Sequence, residues 1–171
     1  VAEHGLSSRI YAVESSASTF AHLKLNVARF PNVTPLHGSV VDATNLPTWD
    51  EVLTDVCSRP NRVLEHITAE ELRHWYDHTK AETETLWRSH GSLLKEIPVQ
   101  VFDLVVIDAD LFFAREALKA VIDRTNILVL DDVTEHKNAA THEHLSTHPD
   151  WEIVDMDLAD RHGWSIFRRR R

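Results

Sequence analysis

The sequence predicts an α/β fold in which a mostly parallel sheet carries helices on both faces, with a C-terminal antiparallel hairpin and a helical insertion. The first observation is a pair of aliphatic runs, residues 105–110 and 127–132, which each stop at aspartates. Runs that are apolar on both faces are typical of parallel strands covered by helices on both sides. The second observation is a strand-helix-strand succession before residue 40, which implies parallel pairing through a right-handed crossover.

The first part of the chain contains four predicted elements. In chain order they are a helix end over residues 1–5, a strand over 9–13, a helix over about 17–29 and a strand over 33–37. The first strand ends at Glu14, and Ser15 and Ser16 are candidate caps of the helix. Apolar residues at helical spacing define the helix, Pro31 ends it, and the second strand leads into Gly38.

The last part of the chain alternates strands and helices and closes with a hairpin. The predictions are a strand over 102–107, a helix over about 113–122, a strand over 126–130, a helix over about 134–145, and strands over 151–156 and 164–167. The final two strands flank the turn Asp160-Arg161-His162-Gly163. Turn residues between two strands this close predict an antiparallel hairpin.

A long stretch, about 44–100, separates the second and third strands and exceeds an ordinary crossover. It predicts a short helix near 49–56 and a longer helix that starts at Thr68. Thr68 and Glu71 have the spacing of a capping box. We interpret the stretch as a helical insertion into a single domain that covers residues 1–171, and as a candidate lid over an acceptor site.

Bulk composition narrows the class of protein. The net charge of −9 argues against a general nucleic-acid partner, which would need a basic face. The single cysteine, Cys57, excludes an internal disulfide. No apolar run has the length needed to span a bilayer, so we expect no membrane partner and a cytoplasmic location.

The order of strand ends resembles that of the class I S-adenosylmethionine-dependent methyltransferases. The residues that carry the resemblance are Arg9-Ile10-Tyr11-Ala12-Val13-Glu14, Gly38-Ser39-Val40 and Phe102-Asp103-Leu104-Val105-Val106-Ile107-Asp108. It implies a Rossmann-like methyltransferase fold and S-adenosylmethionine as cofactor. Glu14, with Ser15 beside it, would hold the ribose hydroxyls, since a carboxylate accepts from both hydroxyls of a cis-diol. Gly38, Ser39 and Val40 would surround the adenine, and Asp108 would face the methyl donor.

A narrower resemblance is to the catechol and caffeoyl-CoA O-methyltransferases, whose fourth and fifth strands end in similar acidic motifs. It implies that Asp108, Asp131 and Asp132 bind a divalent metal and that the acceptor is a small-molecule hydroxyl, whereas the broader resemblance also leaves an amine acceptor open. Hard oxygen ligands suit Mg²⁺, which lowers the pKa of a bound hydroxyl. His136 lies four residues after Asp132 and is a candidate general base, because histidine titrates near neutrality.

The chain departs from these families at three points. The family's general-base lysine is replaced by Leu111, and its asparagine by Asp132. The glycine-rich first strand would precede Val1, so we expect a truncated N-terminus. Without that strand the sheet would have a gap in its middle, with unpaired backbone groups.

Other interpretations of the same residues stay open. Asp132 or Thr134 could cap the following helix instead of binding a metal. The whole chain could be a non-catalytic, methyltransferase-like module whose helical insertion mediates homodimerisation or a partner contact. A nicotinamide-dependent dehydrogenase would also use an acid at Glu14, but the terminal hairpin and the acidic strand ends disfavour it.

Overall fold

The computed structural model of the chain describes residues 8–58, 64 and 66–170. They form two compact units: a first unit of Val1–Thr44 with Thr79–Pro98, and a second unit of Asn45–His78 with Val99–Arg171. The predicted insertion is thus divided between the two units. The helix end predicted over residues 1–5 lies outside the described residues.

The predicted strands and helices within the described residues are present, with small shifts of their ends. Along the chain they are β1 (Ile10–Glu14), α1 (Ala17–Val27), β2 (Val33–His37), α2 (Trp49–Cys57), α3 (Ala69–His90), β3 (Phe102–Ile107), α4 (Ala114–Val121), β4 (Thr125–Asp131), α5 (His136–Thr147), β5 (Trp151–Asp157) and β6 (Trp164–Arg169). Short 3₁₀ helices cover Ala43–Asn45, Leu93–Lys95 and Ile122–Arg124.

In the first unit, β1 and β2 form a two-stranded parallel sheet, as the strand-helix-strand pattern predicts. The register runs from Ile10 opposite Val33 to Glu14 opposite His37. Helix α1 makes the crossover, and the Phe20 ring stacks on the His37 ring with centroids 4.9 Å apart. Parallel pairing through a helix places the carboxyl ends of both strands at one edge of this sheet.

The second unit contains a four-stranded mixed sheet in the order β3-β4-β6-β5. β3 pairs parallel with β4, whereas β6 pairs antiparallel with both β4 and β5. The predicted hairpin of β5 and β6 is confirmed. The prediction of a mostly parallel sheet is wrong here, because β6 folds back from the hairpin and inserts between β5 and β4.

Helices cover one face of this sheet. Leu128, Leu130 and Phe167 are fully buried on the face against which α4 and α5 pack. Leu104 and Val106 of β3 point to the other face and are exposed. The expectation that β3 is covered on both faces is therefore wrong for the described residues of this unit.

Both insertion helices begin at a capping box, of which the sequence predicted only the one at Thr68. Glu71 N donates to Thr68 Oγ1 over 3.2 Å and Glu71 Oε2 accepts from Thr68 N over 2.9 Å, so the predicted capping box of α3 is present. Thr48 and Glu51 form the same box at α2. Among the described residues, no helix is long and apolar enough to cross a membrane.

Candidate functional site

The candidate cofactor residues lie at the carboxyl ends of β1 and β2. The Gly38 N–H donates to the main-chain oxygen of Glu14 over 3.0 Å, so the two strand ends are directly joined. Glu14 is half-buried, and its Oε1 accepts from the Ser16 N–H at 2.8 Å. His37 Nε2 lies 3.0 Å from the carbonyl oxygen of Ser15. Hydrogen bonds from Glu14 of β1 and His37 of β2 therefore hold the backbone of Ser15 and Ser16, directly after the Glu14 carboxylate.

The turn after β2 is tightly packed around Gly38. A Cβ at Gly38 would lie 2.8 Å from two carbons of the Leu93 side chain, so only glycine fits without a shift. Ser39 is buried, its hydroxyl accepts from the Val41 N–H at 3.0 Å, and its carbonyl accepts from the Leu93 N–H at 3.1 Å. The polar atoms of Ser39 are thus engaged within the unit, whereas Val40 stays half-exposed.

In the second unit, the acidic ends of β3 and β4 meet. Carboxylate oxygens of Asp108, Asp131 and Asp132 all lie within 4.8 Å of one another. The parallel pairing of β3 with β4 brings the two strand ends together. Asp132 takes a left-handed backbone conformation, with φ of 57°, which aspartate tolerates better than most residues. The three residues that the sequence nominates for a metal therefore share one cluster, which we call the aspartate cluster.

Lys137, in the first turn of α5, supplies a cation to the aspartate cluster. Its Nζ donates to Asp108 Oδ1, and to Asp132 Oδ2 over 3.1 Å. Burial by itself would lower the pKa of Lys137, but its hydrogen bonds to Asp108 and Asp132 outweigh this effect and raise the pKa. The ammonium is therefore charged at neutral pH and balances part of the carboxylate charge.

Asn138, the next residue of α5, fixes the two strand ends beneath the cluster. Its side chain is fully buried, and Nδ2 donates to the carbonyl oxygens of Ile107 at 3.2 Å and Asp131 at 2.7 Å. One amide thus joins the last residues of β3 and β4. Sequence reasoning missed Lys137 and Asn138. A lysine in the first turn of a helix is unfavourable because it lies at the positive end of the helix dipole. Its presence there was the one sequence signal that an acidic partner lies nearby.

The Asp110 side chain accepts hydrogen bonds from the backbone directly before α4. Its Oδ1 accepts from the N–H groups of Phe112 at 2.8 Å and Phe113 at 3.0 Å. Burial raises the pKa of the Asp110 carboxyl, and the two backbone hydrogen bonds oppose that rise. Leu111, at the position of the family's lysine, is half-buried.

His136 is turned toward α2. Its side chain is buried, and Nδ1 lies 3.4 Å from Asp55 Oδ2. The α5 side chain seen to contact the aspartate cluster is Lys137. Thr134 does not cap α5, since its hydroxyl donates to the carbonyl oxygen of His162 at 2.7 Å and the cap residue is Glu135.

The candidate residues therefore form two groups. Glu14, Ser15, Gly38, Ser39 and Val40 belong to the first unit, and Asp108, Asp131, Asp132 and His136 belong to the second. No family model, no curated protein and no solved structure matches the chain. The resemblance to methyltransferases accordingly rests on the motifs alone.

Proposed function

We propose that this protein is an S-adenosylmethionine-dependent methyltransferase that acts on a small-molecule hydroxyl or amine. The observation that carries the proposal is the direct junction of Glu14 with Gly38 at the carboxyl ends of two parallel strands. Ligands of α/β proteins bind outside such strand ends. The acidic ends of β3 and β4 have the same arrangement in the second unit.

Glu14 fits the role of ribose ligand. Its carboxylate is half-buried and is oriented by the Ser16 N–H, so it would accept hydrogen bonds from the ribose hydroxyls with little loss of side-chain entropy. The half-exposed side chain of Val40 would offer a surface to the adenine, and the buried Gly38 would shape the turn that presents it. We assign Ser39 to support of this turn, because its hydroxyl and carbonyl already bond within the unit.

The aspartate cluster fits a hard divalent cation by its donor set. Three carboxylates within 4.8 Å provide the oxygen ligands that Mg²⁺ prefers. Asp108, Asp131 and Asp132 would hold the ion, which when bound lowers the pKa of an acceptor hydroxyl. The ammonium of Lys137 already bonds to two of these carboxylates, which shows that the cluster accommodates positive charge.

The proposed reaction is an in-line transfer of a methyl group to the acceptor oxygen or nitrogen. The cofactor supplies the activated methyl group, so the protein contributes chiefly position and orientation. Glu14 would fix the ribose of the cofactor, and Asp108 would hold the metal. His136 remains a proposed base, although its contact with Asp55 makes it a less direct candidate than the sequence predicts.

Calorimetric titration with S-adenosylhomocysteine tests the proposal. We expect micromolar binding that is lost in Glu14→Ala and weakened in Glu14→Gln, whose amide has one acceptor oxygen fewer. Glu96→Gln changes an exposed acid of the same unit and is the matched control, so it should bind like the parent. Absence of binding to the parent chain at high protein concentration would refute the proposal, and preferential binding of NAD⁺ would favour a dehydrogenase.

A non-catalytic module is the second candidate. The observation that favours it is Trp75 on α3, whose side chain is 42% exposed within the predicted insertion. A large exposed aromatic residue is common at protein contacts. This candidate predicts no S-adenosylhomocysteine binding and a homodimer or partner complex that Trp75→Lys disrupts.

A further inference from the structure

His37 lies at the carboxyl end of β2, opposite Glu14 at the end of β1. Its ring is half-buried and stacks on the Phe20 ring of α1, with centroids 4.9 Å apart and the two planes at 18°. A histidine is therefore fixed at the same strand edge as the proposed ribose ligand, although it is not one of the candidate ligands.

The ring nitrogen Nε2 of His37 donates a hydrogen bond to the main chain. It lies 3.0 Å from the carbonyl oxygen of Ser15. A carbonyl oxygen can only accept, so Nε2 carries a proton. Both the neutral Nε2–H tautomer and the imidazolium meet this requirement, because each keeps a proton on Nε2. The contact therefore does not depend on whether Nδ1 is protonated.

The backbone of Ser16 is held at both of its polar groups. Its N–H donates to Glu14 Oε1 over 2.8 Å, and its carbonyl oxygen accepts from the Phe20 N–H over 2.8 Å. With the ring stack and the bond to Ser15, these contacts form a closed chain of five residues: Glu14, Ser16, Phe20, His37 and Ser15. A displacement of the His37 ring would thus reach the peptide that orients the Glu14 carboxylate.

We propose that His37 is a positioning residue of the cofactor site, which holds the Glu14 carboxylate in the orientation that binds the ribose hydroxyls. This inference rests on the proposed S-adenosylmethionine function. His37 acts through the backbone of Ser15 and Ser16 and not by contact with the cofactor. Two hydroxyls bind one carboxylate well only when both hydrogen bonds have good geometry, and a carboxylate that is already oriented loses less freedom on binding.

A purely structural role of His37 makes a different prediction. The stack on Phe20 would then stabilise the packing of α1 on β2 without any effect on Glu14. Any substitution that preserves the fold would leave the affinity for the cofactor unchanged. The two roles therefore differ in whether an N–H group at the position of Nε2 matters.

Calorimetric titration with S-adenosylhomocysteine separates the two roles. We expect His37→Ala to weaken binding about three- to tenfold, the usual contribution of one hydrogen bond. His37→Gln should bind like the parent, because the glutamine amide offers an N–H at a similar distance from the main chain. His22→Ala removes an exposed histidine of α1 and is the matched control, which should also bind like the parent.

The amide proton of Ser16 gives a readout that needs no cofactor. In an acid titration of the parent followed by NMR, its chemical shift should report protonation of the Glu14 carboxylate, because the two groups are hydrogen-bonded. The response should persist in His37→Gln and shrink in His37→Ala. Phe20→Leu keeps His37 but removes the stacked ring, so its response and its loss of affinity should be intermediate.

The outcomes distinguish this inference from the proposed function. If the parent did not bind S-adenosylhomocysteine, the proposed function would be refuted and the inference with it. If the parent bound and His37→Ala bound equally well, the inference alone would be overturned. Equal losses in His37→Ala and His37→Gln, or a Ser16 response that is the same in the parent and in His37→Ala, would also overturn it. If His37→Ala did not fold, Phe20→Leu would decide, and unchanged affinity in that variant would count against the inference.

Discussion

The ammonium of Lys137 lies 3.1 Å from Oδ2 of Asp132, five residues earlier in the chain and across the turn between β4 and α5. The same nitrogen also bonds to Asp108 at the end of β3. The acidic strand ends of the second unit therefore contain a cation of their own. This arrangement determines how the aspartate cluster should respond to pH, to substitution and to added metal.

Replacement of Lys137 by methionine should destabilise the protein at neutral pH. The variant keeps the aliphatic stem but leaves Asp108 and Asp132 facing each other without a cation. We expect a loss of about 1–2 kcal/mol, since Asp132 is mostly buried while Asp108 is largely solvated. Urea denaturation measures this loss. Lys119→Met removes an exposed lysine from the same unit and should cost less.

The pH dependence of stability should identify Lys137 directly. Its pKa is raised in the folded state, so its contribution is fully present below the unfolded value near 10.5 and is lost as pH rises through the higher folded value. On the alkaline side of neutrality, we expect the stability difference between the parent and Lys137→Met to shrink only above about pH 10.5. A difference that vanished between pH 6 and 9 would contradict this assignment.

Added Mg²⁺ should stabilise the protein through the aspartate cluster. At ten times the dissociation constant, a single site raises the free energy of unfolding by about 1.4 kcal/mol. Thermal unfolding with and without Mg²⁺ measures the effect, which Asp131→Ala should abolish and Asp123→Asn, an exposed acid of the same unit, should preserve. Lys137→Met should respond more strongly than the parent, because the ammonium no longer competes for the carboxylates. If neither Mg²⁺ nor Ca²⁺ changed the melting temperature of the parent or of Asp131→Ala, the metal site would be refuted.

Asp110→Asn should gain stability relative to the parent as pH rises above 4. The raised pKa of Asp110 means that the folded state favours the protonated carboxyl, so its contribution is present below the ordinary pKa of 3.8 and is lost as pH rises through the folded pKa. Asparagine keeps an oxygen for the N–H groups of Phe112 and Phe113. Asp110→Ala also lacks that acceptor, so at each pH it should be less stable than Asp110→Asn by about 1–2 kcal/mol. Denaturant melts of both variants at pH 4 and pH 7 separate the two effects.

Local sequence signals predicted the elements but not their long-range partners. Aliphatic runs predicted the strands that end at Asp108 and Asp131, because burial and β propensity act over a few residues. The contact of Lys137 with Asp108 joins residues far apart in the chain, so it depends on how α5 packs beside β3. The pairing of β6 with β4 is likewise non-local, and a hairpin pattern does not determine which of its two strands pairs with the rest of the sheet.

Gly38→Ala should destabilise the first unit through a close contact with Leu93 and through a backbone φ of 154° that L side chains rarely adopt. The added methyl group would lie 2.8 Å from Cγ and Cδ1 of Leu93, which is almost fully buried, and overpacking of this kind costs about 1–3 kcal/mol. Leu93→Ala alone should cost about 2–5 kcal/mol, because it leaves a cavity. In the double variant the new methyl group partly fills that cavity, so the two losses should not add. Urea melts of the four proteins measure this coupling, and strict additivity would show that Gly38 and Leu93 do not contact each other in solution.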